Sequence, residues 1–314
     1  MRAPAYHLRM NKMVERLLFI DLLHRFNRLL PERIDEHTYV GLGGPYLEDF
    51  NLIHGTFGNR KMISLEIDDW VVSRQRINRP HSAVELTSQS TAQFTEKFDL
   101  INEALIVWFD YSRQNWAEQM SECCELLQKL SPMSILKVTL SGATRKEDPK
   151  ETAKRLSETF ADYGPFGDDE VLPRSICRTL YSILEKSVAD AIPDTDARCI
   201  RTLASYNYDD GTPILTVTMI VGPLGGVRDL IRNKTIRKWR FADLNWSGPK
   251  EIAVPSLGLR ERLAVDQLLP DGDAKTILQT LELRLASKAK DSKKQMNHYL
   301  QFYRQVPQFL RVSM

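Results

Sequence analysis

The sequence predicts an α/β protein with a mostly parallel sheet that ends in an antiparallel hairpin, followed by a mainly helical C-terminal unit. Over residues 38–140, short apolar runs typical of buried strands alternate with segments of helical periodicity. A glycine-rich turn follows the first run, and an acidic residue follows two of the later runs. Further along, two strand-like runs flank Asp209-Asp210-Gly211, which is a strong hairpin signal. Together these observations predict parallel strands closed by an antiparallel pair.

The predicted elements follow one another in a regular order. An amphipathic helix over residues 10–30 comes first and is closed by Pro31. The parallel strands are predicted over residues 38–40, 61–65, 82–86, 105–109 and 134–140. The helices between them are predicted over residues 46–55, 70–77 and 116–130. Two more helices, over residues 148–161 and 173–191, precede the hairpin strands 201–208 and 214–221.

The C-terminal part differs from the rest in both pattern and charge. Beyond residue 225 the sequence predicts a short strand over 251–255 and helices over 257–269, 274–288 and 295–310. Residues 221–314 hold 17 basic and 9 acidic side chains, whereas residues 1–220 hold 26 and 32. We therefore expect two domains, residues 1–224 and residues 225–314, of which the second is the better surface for an acidic partner.

Composition and spacing argue against several classes of protein. The hydrophobic fraction of 42% and the charged fraction of 27% are typical of globular proteins in water. No apolar run approaches the ~18 residues of a transmembrane helix, and the N-terminal segment has the pattern of an amphipathic helix rather than a signal peptide. The four cysteines form no Cys-x-x-Cys pair, and the six histidines show no ligand spacing. We therefore expect a cytoplasmic protein with reduced core thiols and no bound metal.

Four groups are predicted to meet beyond the carboxyl ends of the strands, where open α/β sheets bind their ligands. They are the turn Gly41-Leu42-Gly43-Gly44, the pair Glu66-Ile67, the loop residues Ser88 and Gln89, and Asp110. Glycines let backbone N–H groups approach a ligand closely. Glu66, 25 positions after Gly41, can accept hydrogen bonds from both hydroxyls of a ribose. The combination predicts a Rossmann-like domain that binds a nucleoside.

Each of these groups also has a structural interpretation. Glycines after a strand are often only turn residues, Glu66 could cap a helix, and Asp110 could cap the chain as it leaves its strand. A dinucleotide-dependent oxidoreductase would use the same spacing from the turn to Glu66. The sheet of such an enzyme would end in a sixth parallel strand, however, so the hairpin at 209–211 speaks against it.

The same residues resemble the class I S-adenosylmethionine-dependent methyltransferases. Those proteins have an acid, a hydrophobe and Gly-x-Gly-x-Gly at the first turn. This chain shows Gly41-x-Gly43, but Tyr39 stands where the acid usually is and Pro45 where the third glycine usually is. Glu66 matches the ribose-binding acid, and Asp110 matches the acid after the fourth strand.

More narrowly, about the first 140 residues resemble a bacterial O-methyltransferase-like family found near defence genes. The motifs that carry this resemblance are Tyr6-x-Leu8-Arg9-x-x-Lys12, Tyr39-Val40-Gly41-Leu42-Gly43, Leu47-x-Asp49-Phe50, Met62-Ile63-Ser64-Leu65-Glu66, Asn78-Arg79-Pro80 and Trp108-Phe109-Asp110-Tyr111. The resemblance implies S-adenosylmethionine as cofactor, methyl transfer to oxygen, and a context of antiviral defence. Asp110 or Tyr111 would deprotonate the acceptor. Asp110-Tyr111-Ser112 is not the Asn/Asp-Pro-Pro-Tyr motif, which argues against methylation of the exocyclic amines of bases.

Whether the chain is active, and what it binds, stays open at this point. The missing acid at position 39 also fits an inactive methyltransferase-like subunit that binds nucleic acid or a partner protein in a defence complex. The basic residues expected to contact such a partner are Arg232, Lys234, Arg237, Lys238 and Arg240. Trp239 and Phe241 beside them could stack on bases. Alternatively, the segment is a solvated helix face whose aromatic side chains pack inward.

Overall fold

The computed structural model describes residues 9–97, 103–111, 113–144 and 148–307. Its strands are β1 (Thr38–Gly41), β2 (Met62–Leu65), β3 (Val84–Thr87), β4 (Leu105–Asp110), β5 (Ile135–Ser141), β6 (Cys199–Asp209), β7 (Pro213–Gly222) and β8 (Lys250–Ile252). They form one sheet in the order β3-β2-β1-β4-β5-β7-β6-β8. The pairs β2/β3, β1/β2, β1/β4 and β4/β5 are parallel, whereas β5 and β7 are antiparallel. The predicted parallel sheet with a terminal antiparallel hairpin is therefore confirmed.

Helices connect the strands and dominate the C-terminal part. Those of the described residues are α1 (Met10–Phe26), α2 (Glu48–Phe57), α3 (Asp69–Asn78), α4 (Thr91–Lys97), α5 (Trp116–Lys129), α6 (Pro149–Thr159), α7 (Ile176–Ala191), α8 (Leu224–Arg232), α9 (Lys234–Arg237), α10 (Leu259–Asp266), α11 (Ala274–Thr280) and α12 (Ala289–Phe302). Within these described ranges, no helix combines the length and the apolar character needed to cross a membrane. After β8, the chain is mainly helical, as predicted.

Helix α4 follows the polar loop at Ser88 and Gln89 and has no counterpart among the predicted elements. Its start carries a capping box. The backbone N–H of Gln93 donates to Ser90 Oγ at 3.1 Å, and the backbone N–H of Ser90 donates to the Gln93 side chain at 3.0 Å. The Ser-x-x-Gln spacing is therefore the sequence signal that predicts this helix.

Several helices end earlier than their periodicity predicts. Helix α1 ends at Phe26 rather than at residue 30, and α11 ends at Thr280 rather than at residue 288. Beyond α11, Glu282 has a φ of 49°, which a right-handed helix cannot accommodate. Apolar spacing persists through such a break, so periodicity alone overestimates the length of the helix.

The chain forms two compact units. The larger unit contains residues 19–207 and 211–250, which include β1 to β5, β7 and the basic helices α8 and α9. The smaller unit contains the described residues up to 18, residues 208–210, and those from 251 onward. The predicted division of the chain into residues 1–224 and 225–314 stays a prediction.

One hydrophobic core of the larger unit joins the central strands to α5 and α7. On α5, Met120, Cys123 and Leu127 recur at helical spacing and are buried. The first five residues of β4 are all buried, as expected for a central parallel strand covered on both faces. Asp110 is the first residue of β4 to reach solvent, and its carboxylate is therefore presented at the edge of the sheet.

The four cysteines occupy buried positions, as predicted for core thiols. Burial raises the pKa of the Cys124 thiol from 9.0 to about 11, and that of Cys123 well above its ordinary value. Because the thiolate is the reactive form, we expect native protein at pH 8 to resist iodoacetamide, with four sites labelled only after unfolding. Mass spectrometry would measure this, and rapid labelling of native protein would contradict it.

Since these folded-state pKa values are raised, the free energy of unfolding should fall as the pH rises from about 9 towards 11.

Candidate functional site

The carboxyl ends of β1, β2 and β4 meet at one edge of the sheet. Gly41, the last residue of β1, pairs in register with Ser64 of β2 and with Trp108 of β4. Glu66 and Asp110 each lie two residues beyond these partners. The structure therefore brings the glycine turn between Glu66 and Asp110, which is where open α/β sheets bind nucleosides.

The glycine turn is tightly packed at Gly43. A Cβ atom at this position would lie 2.3 Å from Leu47 Cδ2 and 2.9 Å from Phe50 Cε2 and Ser64 Oγ. Real Cβ atoms essentially never approach other atoms this closely. Only glycine therefore lets the turn lie against both β2 and the start of α2.

The sequence predicts a helix over residues 46–55, close behind the glycine turn. In the structure, however, the chain does not enter α2 directly after Gly43. Gly44, with a φ of 51°, starts a short 3-10 helix that contains Pro45 and ends at Tyr46. Leu47 then adopts a left-handed conformation, and α2 begins at Glu48. Leu42, on the other side of Gly43, packs half-buried against the core.

Helix α3 holds this 3-10 helix in place. The buried Gln75 side chain donates from Nε2 to the carbonyl of Gly44 at 2.8 Å and accepts at Oε1 from the Ser64 hydroxyl at 3.3 Å. Three residues further on, Asn78 Nδ2 donates to the carbonyl of Pro45 at 2.8 Å. Sequence reasoning missed Gln75, although an amide on the inner face of an amphipathic helix is a usable signal, because buried amides need partners.

The carboxylate of Glu66 is divided between its own turn and the site. Oε1 accepts from the backbone N–H groups of Ile67 at 2.9 Å and Asp68 at 3.0 Å. Among the described residues, none donates to Oε2. A carboxylate oxygen has two lone pairs, so Oε2 is able to accept from both hydroxyls of a ribose. Ile67, with 59% of its surface exposed, presents apolar area beside it.

The residues after β2 therefore fit the ribose of a nucleoside cofactor. The residues of β1 differ from the pattern of the class I methyltransferases. Tyr39 fills the position where the class I methyltransferases, which the sequence resembles, carry an acid. Its ring is buried and packs edge-on against Phe50, with a centroid distance of 5.0 Å. Its hydroxyl lies 3.1 Å from where a Cβ of Gly41 would be. The Tyr39 ring thus lies beside Gly41 and against Phe50, and position 39 carries no carboxylate.

Asp110 ends β4 opposite Thr139 of β5, and the residue is half-buried. The next backbone N–H, that of Tyr111, donates to the Thr139 carbonyl at 3.1 Å, which fixes the chain as it leaves the sheet. Nowhere in the described part of the chain do three or more His, Cys, Asp or Glu side chains gather so as to hold a metal ion. Asp110 therefore lies at the edge of the sheet and belongs to no such group.

The hydroxyl of Tyr111 is engaged with α5. It donates to Glu122 Oε2 at 2.7 Å, and the Thr91 hydroxyl donates to the same oxygen at 2.5 Å. Burial, followed by the nearby Cys123 and Glu122, raises the pKa of Tyr111 well above its ordinary value. The phenol stays protonated near neutral pH, so of the two predicted catalytic residues only Asp110 has the form of a base.

Ser88 and Gln89 lie between β3 and α4. Ser88 is exposed and Gln89 is half-buried, and neither side chain has a hydrogen bond within the described residues. Because β3 pairs in parallel with β2, this loop follows the strand next to β2, which ends directly before Glu66. The loop therefore lies on the same edge of the sheet, one strand further from the glycine turn.

The predicted partner-binding residues lie on α8, α9 and the turn after them. Arg232, Lys234, Arg237, Lys238 and Arg240 are all exposed. Trp239 is buried, with its Nε1–H donating to Asp21 at 2.8 Å, and Phe241 is buried against it at a centroid distance of 5.7 Å. The two aromatic side chains pack inward, so the suggestion that they stack on bases is wrong.

Comparison with known proteins identifies one family. Residues 4–314 match the family described as "Putative O-methyltransferase". Curated proteins provide no match. Among solved structures, the N-methyltransferase NodS from Bradyrhizobium japonicum WM9 matches with a TM-score of 0.38 and 11% identity, covering 67% of this chain and 97% of NodS. Spermidine synthase in complex with the transition-state analogue AdoDATO matches with a TM-score of 0.40 and 12% identity, covering 73% of this chain and 65% of that one. At this level of similarity the two structures carry no weight for function, whereas the family match spans nearly the whole chain.

Proposed function

The chain belongs to the O-methyltransferase family that matches residues 4–314, and from this premise we propose that it methylates an oxygen atom of a nucleic acid, with S-adenosylmethionine as the donor. One observation supports the proposal above all others. The tight glycine turn, the half-engaged carboxylate of Glu66 and the edge carboxylate of Asp110 follow adjacent parallel strands of one sheet.

The residues around the turn have separate tasks in this proposal. Gly43 lets the turn pack closely against β2 and the start of α2, and Gln75 fixes the carbonyl of Gly44 by a hydrogen bond. Glu66 Oε2 accepts from the ribose hydroxyls, while Ile67 offers its exposed apolar surface to the base. When bound, S-adenosylmethionine supplies a methyl group already activated by its sulfonium. The protein then has to position the acceptor in line and remove its proton.

Asp110 is the residue that takes this proton. With the cofactor bound, the acceptor oxygen would take the methyl group from the sulfonium sulfur, and its hydroxyl proton would pass to the Asp110 carboxylate. S-adenosylhomocysteine and the methyl ether are the products, and the charge balances because the sulfonium has become a neutral thioether. Tyr111 stays protonated throughout and orients the chain after β4 through its bond to Glu122.

The exposed basic residues of α8 and α9 support nucleic acid as the acceptor. From Arg228 to Arg240 the segment holds six cationic side chains and one acid, Asp229. Because Trp239 and Phe241 are buried, this surface would act on phosphates through charge alone. Such binding falls steeply with salt and carries little sequence information.

The decisive measurement is isothermal titration with S-adenosylmethionine and with S-adenosylhomocysteine. We expect both to bind with micromolar dissociation constants, and Asp110→Ala to abolish transfer of a labelled methyl group to RNA or DNA. Tyr111→Phe is the matched control, because it removes only a hydroxyl that is already bonded to Glu122, and should keep most of the transfer. If folded protein gave no heat of binding with either ligand, the hypothesis of a methyltransferase that uses S-adenosylmethionine would be excluded.

A second candidate is an inactive methyltransferase-like subunit that binds nucleic acid or a protein in a defence complex. The buried Tyr39 ring in place of the usual acid favours it, because the methionine end of the cofactor would lose a partner. In that case neither ligand would bind, yet the protein would still retain RNA or DNA at low salt. Replacing Arg237 and Lys238 by glutamate would abolish the retention, since both side chains are exposed.

A further inference from the structure

Exposed apolar side chains are concentrated on one short stretch of the larger unit. In the described residues, six large hydrophobic side chains are exposed. Four of them, Tyr46, Ile67, Trp70 and Ile77, fall between residues 46 and 77. Trp70 is 53% exposed and Ile77 86% exposed, at the two ends of α3. Single exposed hydrophobic residues are ordinary, but a cluster of this kind marks an interaction surface.

Three of the residues on α3 share one face of the helix. Trp70, Arg74 and Ile77 follow the spacing i, i+4, i+7. The Arg74 guanidinium lies over the Tyr46 ring at 4.8 Å and the Trp70 ring at 5.3 Å, and its Nη2 donates to the Tyr46 hydroxyl at 2.9 Å. Tyr46, Trp70 and Arg74 are therefore held in place by one another, and together with Ile77 they are here named the α3 patch. Trp, Tyr and Arg are also the residue types that dominate the energetics of protein interfaces.

The charges at the two ends of α3 are opposite. Asp68 and Asp69 are exposed at its N-terminus, and Arg76 and Arg79 are exposed at its C-terminus. In the described part of the chain, Asp69, Arg76 and Arg79 take part in no ion pair. An apolar stripe between two unpaired charges of opposite sign is complementary to a copy of itself turned end to end.

We propose that the α3 patch is the interface of a homodimer in which α3 of one copy pairs antiparallel with α3 of the other. This arrangement places Trp70 against Ile77 of the partner subunit. It also places the acidic end of each helix against the basic end of the other, in a self-complementary contact about a twofold axis. Arg74 lies near the axis, but its charge is covered by two aromatic rings, which reduces repulsion between the two copies.

Other occupants fit the patch less well. A nucleic acid would be attracted by Arg76 and Arg79 at one end of α3 but repelled by the carboxylates of Asp68 and Asp69 at the other. It would also gain little from the aliphatic side chain of Ile77. A ten-residue helix is only about 15 Å long. The contact is therefore at the small end of protein interfaces, and we expect a dissociation constant in the micromolar range.

Sedimentation of the full chain, from about 1 to about 100 µM, tests the proposal. The average mass should rise from 36.2 kDa towards twice that value across this range. Ile77→Glu should weaken the dimer at least tenfold, because it places a charge against Trp70 and buries it there. Leu263→Glu makes the same change at an exposed residue of α10 and should leave the dimer unchanged.

A pair of charge reversals separates the antiparallel dimer from other contacts. Asp69→Arg and Arg76→Asp should each weaken the dimer, and the double variant should restore it. A monomer at every concentration would overturn the proposal. A dimer that tolerates Ile77→Glu and both charge reversals would overturn it as well. Loss of RNA or DNA binding in Ile77→Glu, with no change in mass, would assign the patch to nucleic acid instead. None of these readouts depends on methyl transfer, so they stand apart from the proposed function.

Discussion

Glu66→Gln is expected to weaken the binding of S-adenosylmethionine by about 10- to 100-fold while the protein remains folded. The amide oxygen of the new side chain would still accept from the backbone N–H groups of Ile67 and Asp68, so the turn after β2 is preserved. Its NH₂ group would then face the ribose where the carboxylate Oε2 is now. A hydrogen bond to a charged group contributes about 1.5–3 kcal/mol, and its loss corresponds to that range of affinity.

Titration calorimetry measures this effect, with thermal unfolding to check the fold. Glu85→Gln is the matched control, because Glu85 is exposed on the neighbouring strand β3 and has no place in the proposed site. Glu66→Ala should be weaker still, since it also removes the two hydrogen bonds to the turn. Equal affinity in wild type and Glu66→Gln would show that Glu66 serves only its own turn.

Gly43→Ala is expected to lower the free energy of unfolding by about 1–3 kcal/mol and to weaken cofactor binding with it. The added methyl group would lie 2.3 Å from Leu47 Cδ2 and 2.9 Å from Phe50 Cε2. Leu47 and Phe50 are both fully buried and have little room to move, so the turn has to shift away from β2. Urea unfolding and titration calorimetry would measure the two effects.

Gly55→Ala supplies the control with the same chemical change. Gly55 is exposed within α2, and a Cβ atom there would meet nothing within 4 Å. Replacing a helical glycine in open space by alanine should stabilise the protein by about 0.5–1 kcal/mol. A lower free energy of unfolding in Gly43→Ala and a higher one in Gly55→Ala would show that packing, and not the loss of a glycine, controls the turn. Equal stabilisation in both would contradict the close contacts around Gly43.

Much of the fold follows from local patterns that the sequence carries openly. The alternation of apolar runs and helical segments predicts the parallel strands, because a strand covered on both faces must be apolar throughout. The signal Asp209-Asp210-Gly211 predicts the hairpin of β6 and β7, since it favours a tight turn. Both patterns extend over only a few neighbouring residues, so they can be recognised in the sequence without knowledge of the fold.

Other features depend on residues that are distant in the chain. The basic segment around α8 and α9 does not reveal by its sequence whether Trp239 faces solvent or the protein interior. Only the fold brings Asp21 close enough to accept a hydrogen bond from Trp239. Likewise, Tyr111 has the position of a catalytic residue in the sequence, but its hydroxyl binds Glu122 on α5. Burial next to that carboxylate then raises the pKa of Tyr111 and removes it as a base.

The sequence by itself predicted where the candidate site lies: a glycine turn, Glu66 and Asp110, each after a parallel strand. The tertiary structure decided the surroundings of each group. It divided the carboxylate of Glu66 between its turn and the site, and it supplied Gln75 to hold the carbonyl of Gly44. The physical reason is that position along a strand follows from local propensity, whereas hydrogen-bond partners and burial depend on which distant segments pack together.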